Sequence, residues 1–357
     1  MSGSLQETLL WLCSIDSPIG EERALCDAVQ ARLAGLPLAA PVRRYGDSLV
    51  VPVTRGKGPR IALVGHLDTV RTENGPARID GDRCFGAGAS DMKSGLAVML
   101  EVVEKMDLAA LDCELTLVFY AREEGPFAEN ELGPVLGEDA ELGGVDLAVC
   151  LEPSDNKLHL GCMGSIHATV TFEGRTAHSA RPWEGENAIT KSAALLAKLA
   201  AHKPRESVVE GLAYRGATTI TQANDGGRGR NVVPDRFVLN VNHRFAPDQT
   251  VDDAVADLRR ILGDGARVDF TDLSPAAPPA AGHPLVQALV AAGVRSVEPK
   301  RAWTDVARFA ARGIAAVNFG PGENAQAHQK NESTSLPLLD EGYAIVARWL
   351  TSLSAGV

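Results

Sequence analysis

Aromatic residues make up only 5% of the 357-residue chain, so aliphatic side chains must dominate its core. Basic charge is short as well: 35 Lys and Arg against 46 Asp and Glu leave a formal charge of −11. That balance argues against nucleic acid or an anionic membrane surface as partner, because both call for a basic face. No uninterrupted apolar run approaches the ~20 residues that span a bilayer. The six cysteines (Cys13, Cys26, Cys84, Cys113, Cys150 and Cys162) form no C-x-x-C pair and mostly lie in apolar stretches. They are expected to be buried reduced thiols in a cytoplasmic protein. The opening stretch MSGSLQETLLWLCSIDSP carries Glu7 and reads as an amphipathic helix, not as a basic-then-apolar signal peptide. Internal repeats and low-complexity segments are missing too. What remains is a chain with 45% hydrophobic residues, long enough for two domains.

Up to about Gly161 the sequence alternates apolar runs with helical periods, the pattern of a parallel sheet with covering helices. IALVG, LTLVFYA and VDLAVCL read as buried parallel strands, and after Asp91 a helix is expected with Leu96, Met99, Leu100 and Val103 on one face. From Gly164 the pattern changes. IHATVTF alternates like a half-exposed strand, and NAITKSAALLAKLAAH reads as a helix. ATTITQ, RFVLNVNHRF, VDDAVADLRRIL and ARVDFTD then give strand, strand, helix and strand. This is the ferredoxin-like order. After the Pro/Ala-rich SPAAPPAAGHP the α/β pattern resumes, with IAAVNFG as another buried strand. We therefore expect an α/β domain (residues 1–163 and 275–357) interrupted by an α+β domain (164–274).

Polar residues emerge where the apolar runs stop, at strand carboxyl ends, where open α/β sheets build their sites. They are His66 and Asp68 in GHLDTV, Glu123 and Glu124 in FYAREEG, and Glu152 in CLEPS; Asp91 in GAGASDMKSG stands before a helix, and His328 follows the last strand in GENAQAHQKNE. Singly each is unremarkable: a Glu doublet is usually a solvated helix face, and an Asp before a helix is usually an N-cap. Together they make a ligand set. A carboxylate ending a buried strand is unfavourable unless it is paired or metal-bound. Imidazole and carboxylate ligands without thiolate favour zinc and admit cobalt or manganese. Two His and three carboxylates fill two catalytic sites only if one is shared, and Asp91 is the natural bridge between ions roughly 3.5–4 Å apart. Asp68 then fits an outer role, its carboxylate holding the ring of His66. Glu123 is left over and suits a general base.

In order and nearly from end to end, the H-x-D, D-M-K-x-G, E-E, E-P and late-His motifs resemble the di-zinc amidohydrolases that include carboxypeptidase G and the aminoacylases. The resemblance implies a three-layer α/β zinc-peptidase-like catalytic domain with an inserted ferredoxin-like lid that also forms a homodimer. It implies that His66 and Glu152 hold one zinc, that Glu124 and His328 hold the other, and that Asp91 bridges them, with cobalt able to substitute. It also implies that His178, in GRTAHSARPWEGENAI, reaches the partner subunit's site and steadies the oxyanion. Asn231 in RNVVP and Arg244 in VNHRFAPD match substrate-carboxylate positions, with Arg181 and Arg308 as further candidates. A net negative protein needs local guanidinium groups to hold a polyanionic substrate. Within the family the likeness is fullest to the desuccinylase branch, which implies a small anionic N-acyl amino acid substrate, N-succinyl-LL-2,6-diaminopimelate. The chain departs from that branch's better-known G-T-S-D-G-R-F form at TDVARF. Two other expectations stand beside this one: deacylation of another N-acyl amino acid such as N-acetylornithine, and a metal-binding scaffold without activity.

Overall fold

The computed structural model describes residues 4–226 and 229–353. The chain divides into two compact units. Within the described residues the first runs to Gly161 and takes in Pro279–Lys300 and the chain from Thr304 onward; the second is Cys162–Pro278 with Arg301–Trp303.

The first unit is built on an eight-stranded sheet. Its order is Arg43–Tyr45, Ser48–Pro52, Glu114–Tyr120, Arg60–His66, Leu147–Cys150, Ala315–Asn318, Leu158–Leu160 and Val297–Pro299. The four strands from Glu114–Tyr120 to Ala315–Asn318 run parallel. Ile61–His66, Leu115–Tyr120 and Leu147–Cys150 are buried without alternation, as strands covered on both faces must be. His66 lies opposite Tyr120 and Val64 opposite Cys150, so two strands end level and the third ends two residues earlier at the same edge of the sheet. Close packing helps to fix this arrangement. A Cβ on Gly65 would stand 2.6 Å from Leu96 Cδ2, so glycine there lets the Leu96 side chain of the helix Lys93–Lys105 pack directly on that strand.

Two local expectations for this unit are corrected. The helix Lys93–Lys105 was expected to bury one face, but every residue from Lys93 to Val103 is buried. It packs against the Arg60–His66 strand and against the helices Leu5–Cys13 and Leu336–Ser352. Lys93 is accommodated there because its Nζ donates to the Ile15 carbonyl at 2.9 Å. The Glu123–Glu124 doublet does not end a strand; it lies in the turn beyond Tyr120, entered through Arg122 at φ 64°.

The second unit has a four-stranded antiparallel sheet in the order Ala217–Asn224, Arg236–Phe245, Gly164–Glu173 and Arg267–Ser274. Its core gathers Ile166, Val170, Leu239 and Val241 from the sheet with Leu195, Leu199 and Leu258 from the helices. Gly164–Glu173 is more buried than its alternating pattern predicts, with both of its ends covered on the two faces. The expected single helix is two, Ala188–Lys191 and Ala193–Ala200, meeting at Ser192. Val251–Leu262 starts at a Thr250–Asp253 capping box and stops at Gly263, φ 71°. A hairpin of Glu206–Val209 and Leu212–Arg215 was not foreseen. All six cysteines are buried free thiols. Among the described residues no helix is long and apolar enough to cross a membrane.

Candidate metal centre

The strand ends and the turns beside them place the sequence-selected ligands together. His66 Nε2 lies 3.3 Å from Asp91 Oδ1, and His328 Nε2 lies 3.5 Å from Asp91 Oδ2 and 3.0 Å from the Glu124 carboxylate. Among the described residues three groups bring their ligand atoms within 4.8 Å of one another: His66–Asp91–Glu152, Asp91–Glu124–His328 and His66–Glu123–Glu124. The first two share Asp91. Glu152 is 5% exposed and its Oε1 has no hydrogen-bond partner, which is costly for a carboxylate unless a cation completes it. His328 reaches the group from a loop, with φ 62° and a half-exposed ring.

The electrostatics are those of a crowded acidic site. Burial, with Glu152 and Glu124 beside it, pushes the Glu123 carboxyl well above the usual carboxylate range. Burial and the nearby Asp91 lift Glu152 to about 7. Burial also raises Glu124, against the hydrogen bond from His328. That same bond lifts His328 to about 9. Burial opposes charge on His66, yet the hydrogen bond to Asp91 and the charges of Asp68 and Glu123 hold its pKa well above the usual imidazole value. The protons held this way are the ones that bound cations would displace.

Asp68 is not used as the sequence suggested. The His66 Nδ1–H donates to the backbone carbonyl of Asp68 at 2.9 Å, while the carboxylate stands off at 3.6 Å. The carboxylate oxygens instead accept from the backbone amides of Glu123 and Glu124, at 3.0 and 2.8 Å. Asp68 thus holds the turn that presents the doublet, and the main chain orients the histidine.

The remaining selected residues fall in two places. In the second unit His178 and Val232 form a β-bridge, and Ser179 N–H donates to the Asn231 carbonyl at 2.9 Å, which sets His178 beside Asn231. Arg181 is exposed, with Nε 3.4 Å from Glu184. Arg244 is next to last in the Arg236–Phe245 strand, half-buried; its Nε donates to Asn242 Oδ1 at 2.9 Å, and burial pushes its pKa down. Arg308, in the first unit, departs from its expected role. It is 7% exposed, bonds Asp305 and the Phe127 carbonyl at 2.5 Å each, and lies over the Phe127 ring. A guanidinium engaged in this way is no open fork for a substrate carboxylate.

The model of peptidase family M20/M25/M40 matches residues 62–352, most of the chain. The chain belongs to that family. It is accordingly a metal-dependent amidohydrolase. The M20 chain is 35% identical over 348 residues to the succinyl-diaminopimelate desuccinylase of Corynebacterium glutamicum, covering 95% of this chain and 94% of that one. Its fold matches an M20 metallo-carboxypeptidase of Sulfolobus solfataricus with a TM-score of 0.80, at 15% identity, covering 99% of this chain and all of the other. It also matches a dinuclear metal binding M20 peptidase of Bacillus subtilis with a TM-score of 0.71, at 14% identity, over 99% and 98% of the two chains.

Sequence reasoning overlooked a buried network behind this centre. Asp305, fully buried, accepts from Tyr120 Oη at 2.7 Å, Asn130 Nδ2 at 2.8 Å and Arg308 Nε. Tyr120 in turn packs edge-on to His66. The TDVARF stretch carried the signal: an Asp three residues before an Arg in an apolar context needs a buried partner.

Proposed function

We propose that this M20 chain is a two-metal amide hydrolase that releases succinate from N-succinyl-LL-2,6-diaminopimelate. The observation that carries the reading is the 35% identity to the Corynebacterium glutamicum desuccinylase over 95% of this chain. The donor set supports the metals: Asp91 is common to two groups of potential ligands, and Glu152 Oε1 is a buried oxygen without a partner. His66 and Glu152 would hold one ion, Glu124 and His328 the other, and Asp91 both. Imidazole and carboxylate donors suit zinc, with cobalt as a substitute. When bound, such ions polarise the amide carbonyl and make water a nucleophile near neutral pH.

The chain's own groups do the rest. Glu123 is half-buried beside this set, and its raised proton affinity suits it to take a proton from the attacking water and return it to the departing amine nitrogen. Asp68 keeps that carboxylate in place through the two amides of the doublet. His178 would steady the oxyanion, supplied by the partner in a homodimer formed through the second unit, which also serves as a lid. Asn231 and Arg244, with Arg181, would take the substrate carboxylates.

Comparing kcat/KM for the N-succinyl substrate, its N-acetyl analogue and N-acetylornithine tests the proposal. Without the terminal acyl carboxylate the half-buried Arg244 loses a partner, at a cost of about 1–3 kcal/mol. The succinyl compound should therefore win by roughly five-fold to over a hundred-fold, and Arg244→Met should narrow the gap mainly by slowing it. Faster cleavage of acetylornithine would overturn the substrate assignment and leave the metal chemistry standing.

A further inference from the structure

We propose that Glu332 is a positioning residue for the metal centre, a buried carboxylate that clamps the loop presenting Asp91 and ties it to the segment carrying His328. The inference rests on the two-ion reading above. Glu332 is 2% exposed. Its Oε1 accepts from the backbone amides of Ser90 and Asp91, both at 2.8 Å, and its Oε2 from that of Gly88 at 3.0 Å. Its own carbonyl accepts from Gly86 N–H at 3.0 Å. Four of the six amides from Gly86 to Asp91 therefore end on one residue.

The clamp joins two ligand-bearing segments. Glu332 follows His328 by four positions, and the stitching continues beside it. Ser90 Oγ donates to the Ser333 carbonyl at 2.9 Å and accepts from Glu323 N–H at 3.1 Å. The loop is held in a path that few residues could follow: Gly88 has φ 76°, and a Cβ there would lie 2.7 Å from Thr69 Cγ2. Successive backbone amides turned inward form a concavity for an anion, and charge-assisted bonds to them are stronger than neutral ones. A shared ligand sets the separation of the two ions it joins, so the position of Asp91 matters to both. Fixing the Gly88–Asp91 backbone by three bonds to Glu332, one of them from Asp91 itself, makes the two ligands move as one. Glutamine cannot substitute, because its single carbonyl oxygen leaves an NH2 group facing an amide N–H.

The experiment compares metal-stripped wild-type protein with Glu332→Gln. Zinc affinity is read by competition with a chelating dye, ligand geometry by the visible spectrum of the cobalt-loaded form, and fold stability by thermal melting without metal. Loss of an outer partner of a metal ligand weakens affinity by about 10–100-fold. Here the loss should fall on both ions and be accompanied by a changed cobalt spectrum. Wild-type affinity and an unchanged spectrum in Glu332→Gln, even with a lowered melting temperature, would make Glu332 a fold residue only and overturn the proposal. If the wild type itself takes up no ions, the two-ion reading falls and the clamp with it. Should Glu332→Gln not fold, Glu332→Asp takes its place. It keeps the charge but shortens the reach, and it must show the same affinity loss for the proposal to stand.

Discussion

Replacing Asp68 by Asn changes one atom in a side chain that is 1% exposed, and the structure fixes what that does. Both carboxylate oxygens accept a backbone amide, from Glu123 at 3.0 Å and Glu124 at 2.8 Å. Asparagine keeps one acceptor, so whichever way it turns, one partly buried N–H meets an NH2 group. An unpaired buried donor costs about 1–3 kcal/mol. At about 2–4 °C per kcal/mol for a unit of this size, the metal-free protein should melt roughly 2–12 °C lower. Activity should fall more steeply than stability, because the disturbed turn carries Glu123, and a misplacement of about 1 Å can cost on the order of a hundred-fold. The His66 ring should be untouched, since Nδ1–H is bound to the Asp68 main-chain carbonyl, which Asn retains. Melting of the stripped protein, kcat/KM on the succinyl substrate and 15N NMR of the His66 ring give the three readouts. An unchanged melting temperature together with unchanged kcat/KM would refute the role in the turn. A switched tautomer would give the carboxylate back the histidine-orienting role that the sequence suggested.

Glu123→Gln should retain metal and lose about 10²–10⁴-fold in kcat, whereas Glu124→Gln should lose metal; equal metal loss in both would erase the division of the doublet. Zinc affinity should rise with pH from about 6 toward 9, because the cations must displace protons from Glu152, which titrates at about 7, and His328, which titrates at about 9. In the metal-free fold both groups are raised above their ordinary values. Their contribution to stability is therefore full below those values and lost as pH climbs through 7 and 9, so the melting temperature of the stripped protein should decline where metal binding strengthens. A dissociation constant flat between about pH 6 and 8.5 would contradict this proton competition. Co-expressed His178→Ala and Glu123→Gln chains, each nearly inactive alone, should regain activity in verified mixed dimers; no recovery would place the completing histidine within one chain.

Much of the α/β unit was legible because a parallel strand buried on both faces leaves an unbroken apolar run, and IALVG, LTLVFYA and VDLAVCL end just before His66, the Glu doublet and Glu152. The strand–helix order of Gly164–Ser274 was equally plain in its change of period. The short hairpin at Glu206–Arg215 was not, because ESVV and LAYR are too brief to show alternation. Burial around the whole of Lys93–Val103 also escaped the text. It depends on which helices pack beside that one, and a period of 3.6 reports only the direction of the strongest face.

The errors at the site have a single physical source. Residue types announce what a side chain can bind; they do not announce where backbone amides point. Asp68 followed His66 by two positions, so the near histidine looked like its partner, yet its oxygens are taken by amides 55 and 56 residues away. Glu332 sat in a polar loop and suggested nothing, although its acceptors close on amides 241 to 244 positions earlier. Arg308 looked like a free fork until the fold set Asp305 and the Phe127 carbonyl against it. Side chains facing a common point at the strand ends are chosen by sheet topology, which the sequence reveals through its strands. The buried acids that brace those strand-end turns are chosen by loop conformation, and only the folded backbone displays them.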